Sequence, residues 1–223
     1  MMQRFFDVFF SAFGLLFLLP LALPLFIILR FTGEGEVFYR QVRVGKGGLN
    51  FDLLKFATML KNSPSIGTGN ITLKNDPRVL PLGNFLRRTK INELPQLLNI
   101  FRGDMSVIGP RPLTRDHFEA YTPVVQRAIA EVRPGLSGVG SVVFRAEEEM
   151  LHERANAQQF YKENIAPYKG DLEKWYVSNQ NLVSYFFLIF ATLWVVFFPR
   201  SRLIWHIFSS LPRPPAALSR YFF

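Results

Sequence analysis

Residues 87–113 are the most informative part of this chain and read RRTKINELPQLLNIFRGDMSVIGPRPL. The first half predicts a short amphipathic helix over residues 92–102. Asn92 is a strong N-cap residue, Pro95 is tolerated in a first helical turn, and Gly103 stops the pattern. Because a helix start presents free N–H groups and partial positive charge, this one is a candidate site for a diphosphate.

The surroundings of this helix leave two interpretations open. A basic loop precedes it, formed by Arg87, Arg88 and Lys90. An apolar stripe at helical spacing follows, formed by Leu94, Leu97, Leu98 and Phe101. The segment either holds a diphosphate at its basic end while its apolar face meets a membrane or a core, or it is an ordinary capped helix behind a solvated loop.

Other basic residues are candidates for anion contacts. In Gly109-Pro110-Arg111-Pro112, two prolines limit the backbone freedom around an arginine whose planar guanidinium suits phosphate or carboxylate. The alternative is a turn with an exposed arginine. Lys55 follows a predicted strand and is a further candidate. The glycine-rich turn from Arg133 to Gly140 is explained, on its own, by turn chemistry.

The middle of the chain, residues 31–180, predicts a polar globular domain of the α/β (α+β) class with a small antiparallel sheet. Two β-rich runs over 37–44 and 49–56 flank a glycine-rich turn and predict a hairpin. Residues 61–72 predict a loop. The remaining predicted elements are a strand over 141–144 and helices over 82–88, 115–132 and 147–161.

Both ends of the chain favour contact with a membrane. The run from Phe5 to Leu29 would span about 37 Å as one straight helix, enough to cross a bilayer core of about 30 Å. Pro20 and Pro24 lie inside it, so the helix either kinks and spans or breaks at Pro20 and re-enters the same face. The run from Leu182 to Phe198 is short for a span and favours an interfacial helix.

The composition favours an anionic or lipid partner. The chain has 223 residues, of which 49% are hydrophobic, with 24 Phe, no Cys and a formal charge of +9. So much apolar side chain requires lipid or a partner, and the charge suits nucleic acid, an anionic membrane or a phosphorylated substrate. Disulfides and thiolate metal sites are excluded. The tail after Glu173 has basic but no acidic residues, which suits a negative leaflet.

Motifs of several other catalytic classes are absent from the sequence. None of the histidines is followed five residues later by Asp, no Asp-x-Asp occurs, and neither a P-loop nor Gly-x-Ser-x-Gly is present. Acidic and basic side chains are therefore left to carry any chemistry.

An ordered set of motifs runs from about residue 4 to about residue 198. Its main members are Glu93–Leu97, Gly103–Ser106 and Gly109–Pro112. Supporting members are Phe38–Lys46, Lys55-Phe56, Asn75–Val79, Arg133–Gly138 and Trp175–Val177. Each is weak alone, but the ordered set resembles the bacterial sugar transferases, which are monotopic polyprenyl-phosphate phosphoglycosyl transferases.

The resemblance implies a particular membrane arrangement. It implies one re-entrant N-terminal membrane helix, broken in the family at a Ser-Pro pair that corresponds here to Leu19-Pro20, together with amphipathic helices in the interface. The expected domains are the re-entrant helix over 1–30, a catalytic phosphoglycosyl transferase domain over 31–180, and an interfacial helix with a basic tail over 181–223. The catalytic domain is expected on the cytoplasmic face of the bacterial inner membrane.

The resemblance also implies a reaction. The family transfers a sugar-1-phosphate from a UDP-sugar to undecaprenyl phosphate, releases UMP and uses Mg²⁺. Its products start O-antigen (lipopolysaccharide), capsule, exopolysaccharide or glycoprotein glycans. A homodimer is left open, and nucleic acid is not expected as a partner. The competing class is a non-catalytic member that docks the lipid carrier or partner enzymes.

We expect defined roles for the candidate residues. The side chains expected to neutralise phosphates are Lys55, Arg78, Arg88 and Arg111. Glu93 is expected to hold Mg²⁺, to act as a base or to attack, and Asp76 to orient Arg78 or cap a turn. Contacts with the nucleotide sugar are expected from Arg133 and Arg145. The other candidate binding residues are Asp104, Pro110, Pro112 and Gly135.

Two positions depart from the family pattern. The family has an Asp-Glu pair whose Asp attacks the β-phosphate, and this chain has Asn92-Glu93, whose carboxamide is a poor nucleophile. Three outcomes follow: Glu93 or Asp104 attacks instead, the acceptor phosphate displaces UMP directly while Asn92 orients phosphate oxygens, or the protein is inactive. Ala57 stands where the family usually has Arg, which removes a phosphate contact.

Overall fold

The computed structural model describes residues 2–66, 76–145, 147, 150, 157–199 and 201–222. Helices and two small sheets make up these residues, which confirms the predicted α/β (α+β) class. By its contacts the chain separates into two compact units. The larger unit comprises Met1–Asp7, Arg43–Phe51 and Gly103–Phe223, and the smaller unit comprises Val8–Val42 and Asp52–Arg102.

These units differ from the three segments expected from the sequence. The three expected segments follow changes in composition near residues 30 and 180, whereas the two units are defined by contacts between residues. Helix α1 (Met2–Phe31) contributes residues to both units. The division into a membrane helix, a catalytic domain and a tail therefore stays a prediction about function.

The long helix α1 contains both Pro20 and Pro24 in its interior and does not end at either. The expected break at Pro20 is therefore not an end of the helix, because an interior proline removes one backbone donor and need not stop a strongly apolar segment. The helix is long and apolar enough to cross a membrane, and most of its apolar side chains are exposed. The choice between spanning and re-entry stays a prediction.

The predicted hairpin is present. Strands β1 (Phe38–Val44) and β2 (Asn50–Phe56) form a two-stranded sheet, and a connection this short permits only antiparallel pairing. Gly47 in the connection has a φ of 71°, a left-handed conformation that glycine adopts without a Cβ clash. The strands predicted over 37–44 and 49–56 are thus confirmed.

A second sheet corrects the expectation of antiparallel pairing alone. Strands β3 (Ser106–Ile108) and β4 (Gly135–Ser137) pair in parallel, with Ser106 opposite Gly135 and Ile108 opposite Ser137. Such short strands carry no periodic signal in the sequence, so neither their existence nor their direction could be predicted.

The remaining α-helices of the described residues divide between the units, and a π-helix (Tyr161–Ile165) belongs to the larger one. Those of the smaller unit are α2 (Pro81–Arg88) and α3 (Gln96–Arg102). Those of the larger unit are α4 (Arg115–Glu119), α5 (Pro123–Ala130), α6 (Val139–Val143), α7 (Ala157–Phe160), α8 (Ala166–Ser178), α9 (Leu182–Phe197), α10 (Leu203–Ile207) and α11 (Ala216–Phe222).

Two local predictions are corrected, and two others lie partly outside the described residues. The helix predicted over 115–132 is interrupted between α4 and α5, because Thr122 is extended and Pro123 starts a new helix. The strand predicted over 141–144 is helix α6, since a short valine-rich run fits either structure. Much of the helix predicted over 147–161 and part of the loop predicted over 61–72 lie outside the described residues.

Each unit has its own apolar core. In the smaller unit, α1, β2 and α2 meet through Leu25, Leu29, Phe56 and Leu86. In the larger unit, one core contains Val44, Phe118, Val125 and Ile129. The second apolar run forms α9, whose start is fixed by reciprocal hydrogen bonds between Asn181 and Ser184. One face of α9 is buried and the other exposes large apolar side chains, as an interfacial helix requires.

Candidate active site

The predicted site residues fall into one group in each unit. The smaller unit holds Lys55, Asp76, Arg78, Arg88, Asn92 and Glu93. The larger unit holds Asp104, Pro110, Arg111, Pro112, Arg133, Gly135 and Arg145. Each unit therefore carries both acidic and basic candidates.

A strained turn precedes α3 in the smaller unit. Lys90 has a φ of 62°, and it is the one non-glycine residue with positive φ in the part of the chain that the structure describes. A 3₁₀ turn follows from Ile91 to Glu93, and α3 begins only at Gln96, after Pro95. Left-handed backbone at a non-glycine residue is costly and is concentrated at functional sites. The turn therefore marks this position as a candidate site by its backbone alone.

Asn92 does not cap a helix, which corrects the predicted helix start. It lies inside the 3₁₀ turn, is only 7% exposed, and its Oδ1 accepts no hydrogen bond from any described residue. A buried amide oxygen without a donor costs about 1–3 kcal/mol. The Oδ1 of Asn92 is therefore suited to bind a group that enters the site together with the substrate. Glu93, next to it, is half-buried.

Three basic residues of the smaller unit are candidates to act with this turn. Arg88 ends α2 and is exposed, as is Lys90. Lys55 lies on β2 and is half-buried. The side chain of Asn99 in α3 joins that strand, because its Oδ1 accepts from Leu54 N at 3.0 Å and its Nδ2 donates to Asp52 O at 2.8 Å. These bonds fix the strand that carries Lys55 against α3.

Asp76 and Arg78 form a buried ion pair. Arg78 is 3% exposed, and its Nε and Nη2 donate to the two carboxylate oxygens at 2.9 and 2.6 Å. Its Nη1 donates to the carbonyl oxygens of Ser63 and Ile66, both at 2.7 Å. Asp76 thus orients Arg78, but the guanidinium is engaged within the protein. The geometry gives Arg78 a role in holding this loop, and its contact with phosphate stays a prediction.

In the larger unit, the segment around Arg111 packs directly on β4. Gly109 N donates to Ser137 O at 2.9 Å, and Gly135 N donates to Pro110 O at 2.8 Å. A Cβ on Gly109 would lie 2.4 Å from Arg133 O, and one on Gly135 would lie 2.1 Å from Gly109 N. The two backbones can approach this closely only because both residues are glycine. Pro110 and Pro112 are buried, whereas the side chain of Arg111 is exposed.

The other predicted residues of the larger unit occupy separate positions. Arg133 is half-buried, and its Nε donates to Gly103 O at 2.7 Å. Asp104 follows Gly103 and is also half-buried. Arg145 is exposed beyond the end of α6. Arg133 is therefore partly used to hold the turn before β3, while Arg145 is open to solvent.

Sequence reasoning missed Glu173 in α8. It is only 5% exposed in the folded protein. Burial raises the pKa of Glu173 to about 7, although the Arg111 N–H and the charges of Lys169 and Arg111 pull it down. A signal was present in the sequence, since Leu172 and Tyr176 predict a buried helical face around this acid.

Lys169, one turn before Glu173, is also largely buried. Its Nζ lies 2.6 Å from Glu147 Oε2 and 5.1 and 5.5 Å from the ring centroids of Phe144 and Tyr161. Burial lowers the pKa of Lys169, while Glu147 raises it again. Burial also raises the pKa of Tyr161 to about 12, so its hydroxyl stays protonated at neutral pH. The surroundings of Glu173 therefore include one ion pair, Lys169–Glu147.

The oxygen atoms of the Asn92–Glu93 turn suit Mg²⁺. Among the described residues no three His, Asp or Glu side chains form a metal cage. Mg²⁺ commonly binds through one or two carboxylates together with substrate phosphates, and does not need such a cage. The half-buried carboxylate of Glu93 and the hydrogen-bond-free Oδ1 of Asn92 are two adjacent oxygen donors of this kind.

Comparison with known proteins gives a consistent result. Residues 1–199 match the family described as bacterial sugar transferase. The chain is 31% identical over 205 residues to the exopolysaccharide production protein ExoY of Sinorhizobium fredii, covering 86% of this chain and 83% of that protein. It is 31% identical over 209 residues to the undecaprenyl-phosphate galactose phosphotransferase of Salmonella typhimurium, covering 87% of this chain and 40% of that protein. A shorter match of 110 residues, 49% of this chain and 61% of the relative, is 44% identical to the putative undecaprenyl-phosphate N-acetylgalactosaminyl 1-phosphate transferase of Bacillus subtilis.

Proposed function

The chain belongs to the bacterial sugar transferase family, and we propose that it transfers a sugar-1-phosphate from a UDP-sugar to undecaprenyl phosphate with release of UMP. The names of relatives from Salmonella typhimurium and Xanthomonas campestris describe this class of reaction. The step would be the first membrane step of a bacterial glycan, with exopolysaccharide favoured by the likeness to ExoY. We assign no particular sugar, because relatives are named for glucose, galactose and N-acetylgalactosamine.

The observation that carries the proposal is the Asn92 turn. A buried amide oxygen without a hydrogen-bond donor, a half-buried carboxylate and a strained lysine occur in four consecutive residues. Such a turn is costly for the fold, and the cost is understood if the two oxygens meet a cation that binds with the substrate while Lys90 meets its phosphates. Exposed Arg88 and Lys90 supply the positive charge that phosphoryl transfer requires.

In the proposed mechanism, an oxygen of undecaprenyl phosphate attacks the β-phosphorus of the UDP-sugar. The bond from that phosphorus to the oxygen bridging the two phosphates breaks, and UMP leaves with this oxygen. The neutral amide of Asn92 cannot act as a nucleophile, so it orients phosphate oxygens instead. In the smaller unit, exposed Arg88 would balance the charge of the substrate phosphates. Exposed Arg111, in the larger unit, stays a separate candidate for a phosphate contact.

Mg²⁺ fits this proposal as the cofactor. Glu93 and the Oδ1 of Asn92 would hold it, and substrate phosphates would complete its coordination. Bound there, it would supply Lewis-acid stabilisation of phosphate charge. The protein's own part is to keep both oxygens fixed on one short turn.

The membrane is part of the proposed site, because the acceptor is a lipid. The apolar side chains of α1 and α9 are exposed over long stretches, which favours contact with lipid. The C-terminal tail adds basic and aromatic residues suited to an anionic leaflet, namely Arg202, Trp205, Arg213 and Arg220. We place the catalytic residues at the cytoplasmic face of the inner membrane, with α1 re-entrant.

A second candidate function is favoured by one observation. Asn92 stands where the family resemblance calls for the attacking Asp, so a non-catalytic member that binds the lipid carrier or UDP-sugar fits the same cations. The two candidates differ in turnover and not in binding.

Release of UMP from wild type, Asn92→Asp and Glu93→Gln in nanodiscs separates these candidates. We expect wild type to release UMP with at least one UDP-sugar and Glu93→Gln to be slower by roughly 100-fold. Intact-mass analysis should find a phosphosugar on Asn92→Asp and none on wild type. Exposed Glu119 gives the matched control Glu119→Gln, which should keep full activity. Turnover by Asn92→Asp alone would favour the non-catalytic candidate.

A further inference from the structure

The segment that follows α9 forms a cavity in the larger unit. Its volume is about 210 Å³, far more than the share of liquid volume that one water molecule takes, which is about 30 Å³. The residues that line it are Trp205, His206, Phe208, Ser209, Leu211 and Arg213. None of them has a role in the proposed reaction step, so the cavity is a second place on the protein where a ligand can bind.

The walls of this cavity are held by contacts with α8. Phe208 packs edge-on against Trp175, with 5.2 Å between the ring centroids. The indole Nε1 of Trp175 donates to Ser210 Oγ at 3.2 Å, and Tyr168 Oη donates to Pro212 O at 2.7 Å. These contacts fix the chain on both sides of Leu211, so the cavity has defined walls.

The polar side chains of the lining suit an anion that also carries hydroxyl groups. The exposed guanidinium of Arg213 suits phosphate, and the hydroxyl of Ser209 can donate to the same oxygens. The ring of His206 is held by a hydrogen bond from Nδ1 to Arg202 O at 3.1 Å, since a carbonyl oxygen can only accept. In the neutral ring, Nε2 is then an acceptor for a hydroxyl group. None of the described lining residues is acidic, so no lining carboxylate competes for the guanidinium.

The apolar side of the cavity adjoins a surface that suits lipid chains. Phe208 packs edge-on against Phe187 of α9, with 6.4 Å between the ring centroids. Phe187 is 46% exposed and belongs to the apolar face of α9 that favours lipid. Trp205 is also part of the lining, and tryptophan is enriched at the level of lipid headgroups. A phospholipid can therefore use both the cavity and α9, which a free phosphate ion cannot do.

We propose that this cavity binds the headgroup of an anionic phospholipid that carries hydroxyl groups, such as phosphatidylglycerol. Arg213 and Ser209 bind its phosphate, His206 accepts from a headgroup hydroxyl, and the acyl chains lie on the exposed face of α9. The lipid is a bound component of the protein and not the acceptor of the proposed reaction. A basic tail on an anionic leaflet needs no particular lipid, whereas this site binds one lipid in one cavity.

The test measures lipid binding by the full chain in an uncharged detergent, with native mass spectrometry to count the lipids that each chain retains. An uncharged micelle lacks the anionic surface that attracts basic tails in general. The probes are phosphatidylglycerol, phosphatidylcholine with the same acyl chains, inorganic phosphate, and farnesyl phosphate as a short analogue of the acceptor. We expect one saturable phosphatidylglycerol per chain, bound roughly tenfold more tightly than each other probe.

Two variants locate the bound lipid. Arg213→Gln removes the charge and should weaken binding of phosphatidylglycerol roughly tenfold. Ser209→Leu replaces a hydroxyl by a larger apolar group and should weaken binding as well. Both side chains are exposed, so both variants are expected to fold. The matched control Arg202→Gln removes an equal charge from an exposed arginine of the same tail that does not line the cavity. It should change the affinity less than about twofold at physiological ionic strength.

Three results would overturn the proposal. Equal losses in Arg213→Gln and Arg202→Gln would show a general attraction in place of a site. Binding of inorganic phosphate as tight as that of phosphatidylglycerol would show an anion site that does not recognise a lipid. Farnesyl phosphate that binds more tightly and displaces phosphatidylglycerol would make the cavity a site for the acceptor. Because the readout is binding, each result stands whether or not the chain releases UMP.

Discussion

At the scale of single residues, two buried asparagines of the smaller unit behave differently. The amide of Asn99 makes two hydrogen bonds to the backbone of β2, at 3.0 and 2.8 Å. The Oδ1 of Asn92 accepts none from the described residues, although Asn92 is 7% exposed. One amide therefore stabilises the fold, and the other is expected to serve the substrate.

Leucine substitutions at these two positions should have opposite effects on stability. Asn99→Leu leaves part-buried backbone groups of Leu54 and Asp52 without their side-chain partner and should lower the free energy of unfolding by about 1–2 kcal/mol. Asn92→Leu should leave it unchanged or raise it by about 1 kcal/mol, while UMP release falls roughly 100-fold. Denaturant unfolding in detergent measures the first quantity. A strongly destabilised Asn92→Leu would mean that its side chain holds the fold instead.

The buried ion pair Asp76–Arg78 permits a similar comparison. Asp76→Asn leaves a buried guanidinium without its carboxylate and should lower the unfolding temperature strongly. The pair Lys61–Glu36 is also a salt bridge, with an N–O distance of 2.9 Å, but it is open to solvent. Glu36→Gln should therefore leave the unfolding temperature nearly unchanged. Equal shifts in thermal scans of the two variants would contradict a structural role for Asp76.

At the scale of elements, a polar contact within the larger unit holds the start of α1 against β3 and α9. Asp7 is 2% exposed, and its Oδ1 accepts from Ser106 Oγ and Val107 N at 2.9 Å each and from Tyr185 Oη at 3.0 Å. The ring of Phe6 also packs edge-on against Phe186 in α9 at 4.9 Å between centroids. One carboxylate thus joins α1, β3 and α9, which fixes where the two apolar helices begin.

Removal of this carboxylate should be severe. Asp7→Ala leaves several buried donors without an acceptor and should cost on the order of 3 kcal/mol of unfolding free energy. Ser11 is also buried in α1, but its hydroxyl donates only within the helix, to Val8 O at 3.2 Å. Ser11→Ala is therefore the matched control and should change stability little. Comparable losses in denaturant titrations of the two variants would show that Asp7 is not the joining residue.

Particular elements show how much of the fold could be predicted from the sequence. The hairpin β1–β2 and α9 could be predicted, because periodicity and turn residues are local signals. The roles of the candidate site residues stay predictions. The signal for a new helix at Pro123 is equally local, but the prediction of one helix over 115–132 did not use it. The parallel pairing of β3 with β4 joins residues far apart in the chain, so no local pattern encodes it.

At the scale of the whole molecule, the exposed apolar side chains of α1 make it necessary to determine whether this helix spans the membrane or re-enters the same face. The chain has no cysteine, so single cysteines can report on each end of this helix. Met2→Cys and Thr32→Cys place thiols at exposed positions at its two ends. In spheroplasts, a re-entrant α1 should leave both thiols protected from an impermeant maleimide and reactive after lysis. Labelling of one of them in intact spheroplasts would establish a spanning helix.

The central claim is that phosphosugar passes from a nucleotide to a lipid phosphate. Its most direct test is UMP release by wild type in nanodiscs, with the UDP-sugars named for the relatives, in the presence and absence of undecaprenyl phosphate. We expect UMP only when the lipid is present, with one lipid-linked diphosphosugar formed for each UMP. No UMP with any of these sugars, or the same amount of UMP without the lipid, would contradict the claim.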